Sequence, residues 1–145
     1  MHEDITHLKK ELHRYGVFMA VLFGSRAKGT ARNESDFDIA VFTRPEGELA
    51  RNTHASVQVI LLLSRYLKIP SEKIDLSNPC LDDPLLMYEI FHQGTLIFGS
   101  ELDFLEYRAM SYRNYIDAKD FFALSDDILK KNQERLREKI KAYDS

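Results

Sequence analysis

The stretch Leu22–Phe42, "LFGSRAKGTARNESDFDIAVF", is the one on which the fold and the chemistry of this chain turn. An apolar run ends at Gly24-Ser25, a polar and basic segment follows, and the chain becomes apolar again through "DFDIAVF", with two aspartates flanking one phenylalanine. In a strand, alternate side chains share a face, so Asp36 and Asp38 point together while Phe37 points into the core. Their Cα atoms would lie about 6.5 Å apart, close enough for both carboxylates to converge on one cation. Two like charges held together without a cation repel, or raise one pKa. An oxygen-only donor pair selects hard ions such as Mg²⁺ or Mn²⁺.

The Gly-Ser turn supplies the complementary half. Gly24 lets the backbone approach a ligand closely or adopt a positive φ. The amides after it, at an expected helix start, form an anion site. Ser25 adds a hydroxyl, and Arg26 and Lys28 add positive charge. A phosphate cradle beside a carboxylate pair is the equipment of phosphoryl or nucleotidyl transfer. Two metal ions about 3.5–4 Å apart would call for a third carboxylate. Asp75 in "KIDLS" fits, as the single acid in an otherwise apolar segment.

Working outward, Ile5, Leu8, Leu12 and Tyr15 recur at helical spacing and Gly16 ends that helix. "VFMAVLF" (Val17–Phe23) is a continuous apolar run that suits a buried strand. Asp36–Phe42 is the second strand, closed by Pro45 and Gly47. A helix is expected from about Glu48 to Lys68, built on Leu49, Val57, Ile60, Leu61 and Leu67, with Pro70 beyond it. Lys73–Ser77 reads as a third strand, Leu85–Gly94 as a helix and Thr95–Gly99 as a fourth strand. From Glu101 the chain has no proline or glycine, which predicts one long helix or two, with a break near Ser125. The expected fold is α/β (α+β): a small mixed sheet with helices on one side and a C-terminal helical tail. Residues 1–100 form the domain and 101–145 the extension, packed on it or on a partner.

The 145 residues suit one domain, and 44% hydrophobic with 30% charged residues is the composition of an ordinary globular protein. A net charge of −3 argues against general nucleic-acid binding. Cys80 is the only cysteine, so no internal disulfide is available, and a reducing cytoplasm is the natural setting. The charged N-terminus does not read as a signal peptide, and the longest apolar stretch, Val57–Leu63, is too short to span a bilayer. The five histidines show no ligand-like clustering. In the tail, Phe104, Tyr107, Tyr112, Tyr115, Phe121 and Phe122 either pack it onto the sheet or offer a partner-binding face.

The Gly-Ser turn, the gap and the Asp-x-Asp pair resemble the DNA polymerase beta-type nucleotidyltransferase superfamily. The resemblance runs over residues 15–100 and is strongest to its minimal single-domain branch, the MNT antitoxins of HEPN–MNT toxin–antitoxin pairs. It implies that Gly24 and Ser25 bind phosphate, with Arg26 and Lys28 assisting at the nucleotide, and that Asp36, Asp38 and Asp75 are catalytic and hold metal. It further implies two Mg²⁺ ions (or Mn²⁺), ATP as substrate, and AMP transfer onto a tyrosine of a partner HEPN RNase toxin. The Arg-x₄₋₆-His signature of HEPN proteins is absent here, since Arg51 and His54 are too close; the toxin would be a separate protein. Two other functions fit the sequence: a binding-only antitoxin with idle chemistry, and a small-molecule nucleotidyltransferase that recruits an acceptor domain in trans.

Overall fold

The structure, a computed structural model, describes residues 4–29, 32, 35–45 and 53–144. Helix α1 (Ile5–Arg14) opens at Asp4, whose Oδ1 accepts the Thr6 amide at 3.0 Å, and buries Leu8 and Leu12. The chain continues through β1 (Val17–Phe23), the single turn α2 (Ser25–Lys28) and β2 (Phe37–Thr43). Helix α3 (Thr53–Leu67) leads by a 3₁₀ turn to β3 (Ile74–Ser77), and α4 (Pro84–His92) leads to β4 (Thr95–Gly99) and α5 (Glu101–Asp144). The expected start of α3 at Glu48, with Leu49, lies outside the described residues.

The four strands form one sheet in the order β3-β2-β1-β4. β1 runs antiparallel to both β2 and β4, whereas β2 and β3 are parallel. A parallel pair needs a crossover, and α3 provides it. The register sets Asp38 beside Asp75 across β2 and β3, and Asp38 beside Phe23 across β2 and β1.

Helices cover both faces of the sheet, not the one side expected from the sequence. Val17, Ala20, Ile39 and Val41 pack with α1 and α3 on one face. Met19, Val21, Ala40 and Phe42 pack with Met87, Ile90 and Phe91 of α4 and Phe104 of α5 on the other. The cause is visible in the composition of β1 and β2: an uninterrupted apolar run has no polar face to leave in water, so both faces must be covered. Of the two forms expected for the tail, one long helix or two broken near Ser125, the structure has the first, and α5 runs unbroken for 44 residues. Serine and aspartate are modest helix formers, and without proline or glycine the local cost is too small to interrupt the helix.

Candidate active site

Three segments meet at one end of the sheet: the exit of β1, the entrance of β2 and the entrance of β3. Gly24 leaves β1 with φ 72° and ψ −153°, a region that only glycine populates freely. A Cβ built there would overlap Asp38 Oδ2 and stand 3.2 Å from Asp38 Cγ. The carboxylate of Asp38 therefore rests against the bare Cα of Gly24. The turn α2 starts immediately afterwards, closed by Lys28 N–H donating to Gly24 O at 3.1 Å, and no side chain caps its first amides. Uncapped leading amides carry the partial positive charge that suits an anion.

Arg26 is held by the protein itself. Its Nη2 donates to Ser35 O at 2.9 Å, and its guanidinium carbon lies 4.2 Å from the centre of the Phe37 ring. Both contacts join α2 to the residues entering β2, so Arg26 fixes the Gly-Ser turn relative to the aspartates. Lys28, on the last position of α2, is exposed, and Ser25 is half-buried.

Asp36 immediately precedes β2, and Asp38 and Asp75 occupy paired positions on β2 and β3. Phe37 and Ile74, between and before them, turn to the opposite face and pack in the core with α3. Asp38 is pushed above the ordinary carboxylate value of 3.8, first by burial, then by the charge of Asp75 and a hydrogen bond with it, then by the charges of Asp36 and Glu89. Asp36 and Asp75 remain exposed. Glu89 of α4 is a fourth acid facing the group that the sequence reading did not single out. The signal existed: "LLMYEIF" carries one acid in an apolar segment, the same pattern that marked Asp75.

Acids gathered around Asp38, with only oxygen donors, suit a hard divalent cation. Among the described residues no three His, Cys, Asp or Glu side chains stand in closed coordinating geometry. Asp38 and Asp75 share a register position and a side-chain hydrogen bond, and the donor set fits such an ion in its chemistry. A cavity of about 520 Å³ opens elsewhere, lined by Lys9, His13, Arg44, Tyr66, Phe98 and Asp103. It lies at the far end of the sheet, where β2 ends and Gly99 pairs with Met19. One acid among basic and aromatic groups lacks the carboxylate pair, so the open rim at Gly24 and Asp38 is the better chemical candidate.

The family model for polymerase beta nucleotidyltransferases matches residues 6–103, from α1 to the start of α5. The chain belongs to that family. Solved structures share the fold. One is a toxin–antitoxin complex with AMP-PNP, 22% identical with a TM-score of 0.58, covering 88% of this chain and 99% of the matched one. A second is the toxin–antitoxin MntA–HepT, 20% identical with a TM-score of 0.53, over 86% of this chain and 93% of that one. A third is the tri-AMPylated HEPN toxin of Shewanella oneidensis in complex with MNT antitoxin, 17% identical with a TM-score of 0.52, covering 87% and 99%. No curated protein sequence matches the chain. Among the described residues, no helix is long and apolar enough to cross a membrane.

Proposed function

We propose that the chain is a divalent-metal-dependent nucleotidyltransferase that moves AMP from ATP to a protein hydroxyl, and that it acts as the antitoxin of a HEPN-type RNase. The observation that carries this reading is the seating of Asp38 against Gly24 with Asp75 beside it in register. That arrangement joins a phosphate-binding turn to an acid cluster within one contact. Support for the acceptor comes from the relatives: one was solved with AMP-PNP, and another is an MNT antitoxin with a tri-AMPylated HEPN toxin. A tyrosine of the partner is the acceptor that the reading favours.

In this mechanism the amides opening α2 and the Ser25 hydroxyl receive the triphosphate, with Lys28 beside them. Arg26 keeps that turn at a fixed distance from the aspartates through Ser35 and Phe37. Asp36, Asp38 and Asp75 would hold Mg²⁺, which supplies neutralisation of phosphate charge and activation of the attacking oxygen when bound. The acceptor oxygen bonds to the α-phosphorus, the bond from that phosphorus to the bridging oxygen breaks, and pyrophosphate departs with the electron pair. The acceptor's hydroxyl proton leaves toward the acid cluster, where Asp75 is exposed to an incoming side chain.

The test is co-expression with the candidate toxin, followed by the partner's intact mass and by growth. Wild type is expected to add one or more AMP units and restore growth, and Asp36→Ala/Asp38→Ala to do neither. A double variant that restores growth fully with no added mass would transfer the antitoxin role from catalysis to binding.

A further inference from the structure

Helix α5 has one face with two fates. At its start that face is covered: Phe104 is buried in the core with α4, Tyr107 packs beside it, and Ser111 is fully buried. Eighteen residues make five turns of 3.6, so a residue eighteen positions on returns to the same side of the helix. Phe122 stands in that relation to Phe104, Ser125 to Tyr107, Leu129 to Ser111, Ile140 to Phe122 and Tyr143 to Ser125. The stripe that seals the domain therefore continues past its edge and loses its cover. Phe122 is 41% exposed, Leu129 57%, Leu136 60% and Tyr143 94%. These four recur every seven residues and fill one of the two contact positions of a heptad; the second holds Asp126, Gln133 and Ile140.

Charge along the same segment is separated. Asp117, Asp120, Asp126 and Asp127 dominate its first part, opposed only by Lys119. Lys130, Lys131, Arg135, Arg137, Lys139 and Lys141 dominate its second part, opposed by Glu134, Glu138 and Asp144. One exposed pair, Lys131 with Asp127 at 3.4 Å, spans the junction within the helix and leaves the separation in place. Two such helices side by side in parallel would set base against base and acid against acid. Antiparallel, the acidic part of each lies along the basic part of the other.

From the bare heptad stripe and this self-complementary charge, we infer that the distal half of α5, from Ile116 onward, pairs with the same segment of a second copy as an antiparallel two-helix interface. The segment is about 43 Å long at 1.5 Å per residue, ample for several heptads of contact. The interface would join two nucleotidyltransferase domains through their tails and leave the Gly24–Asp38 end of each sheet free. It does not depend on the proposed transfer chemistry.

The experiment is sedimentation of the full chain in the high micromolar range, with circular dichroism on every variant. The wild type is expected to sediment at twice the chain mass, and Leu129→Asp/Leu136→Asp at the chain mass with the same helical signal from the sheet domain. Asp126→Lys should weaken self-association at least tenfold, and mixing that variant with Arg135→Glu should recover it. Orientation is read by disulfide formation in a Cys80→Ser background. Phe122→Cys mixed with Ile140→Cys is expected to cross-link, and Ile140→Cys alone to stay single; the reverse pattern overturns the antiparallel arrangement. A wild-type chain that sediments as a monomer overturns the pairing. If the monomer then loses a co-expressed partner through the same Leu129 and Leu136 substitutions, the face belongs to that other protein.

Discussion

Replacing Gly24 by alanine probes the contact on which the site is built. The residue sits at φ 72° and ψ −153°, where an L-residue is strained by about 1–3 kcal/mol. The added Cβ would also overlap Asp38 Oδ2, so the carboxylate must rotate or β2 must shift. Gly29 is the internal control. It has a similar φ of 73° with ψ 13°, and a Cβ there meets nothing within 4 Å. Left-handed backbone at an L-residue costs about 1–2 kcal/mol, which is the whole expected loss for Gly29→Ala, whereas Gly24→Ala adds the clash with Asp38 and should lose more. At about 2–4 °C per kcal/mol for a chain of this size, each would cost several degrees in Tm. Activity should separate them. A displacement of a reacting group by about 1 Å costs roughly a hundredfold in rate, so Gly24→Ala should lose about that much AMP transfer. Gly29→Ala should stay within a fewfold of wild type. The assay is a urea titration for stability, paired with initial rates of AMP incorporation into the partner. Equal activity in the two variants, each assayed where it is fully folded, would refute the cradle.

Three further outcomes follow from the same geometry. Asp38 has its pKa raised in the folded chain, so its protonated form is favoured on folding; that contribution is fully present below the unfolded pKa and is lost as pH rises through the folded value. Without metal, Asp38→Asn should accordingly melt higher than wild type at neutral pH while transferring no AMP, and added Mg²⁺ should raise the Tm of wild type but not of the variant. Arg26→Ala removes the hydrogen bond to Ser35 and the contact with Phe37, and should cost about 1–2 kcal/mol in chemical denaturation. Phe91→Ala, at a fully buried position between α4 and the sheet, should cost about 3–5 kcal/mol in the same measurement.

The four strands were legible because each is a short apolar run between breakers, and the structure places them at Val17–Phe23, Phe37–Thr43, Ile74–Ser77 and Thr95–Gly99. Gly24 and Asp38 were legible as a pair because a glycine and an acid in apolar flanks have little structural purpose of their own. Strand partnership was not, since β2 is equally apolar toward β1 and β3. Only the fold shows that Asp38 and Asp75 share a register position. Arg26 read as a cation beside a phosphate turn. Its hold on Ser35 and Phe37 depends on a loop path that composition does not encode. The two-sided helix cover was written in the unbroken apolar runs of β1 and β2, but a buried strand and a half-buried one differ only in alternation, and both were short. In α5 the absence of proline and glycine was the stronger signal, and the local capping pattern at Ser125 was overridden by the helix on either side.

The most direct test of the account is transfer from ATP labelled in its α-phosphate, using the purified chain, Mg²⁺ and the purified HEPN-type partner. Label on the partner together with released pyrophosphate is the expected result, and neither product with Asp36→Ala/Asp38→Ala. Label on the partner at the wild-type rate from that double variant would contradict it.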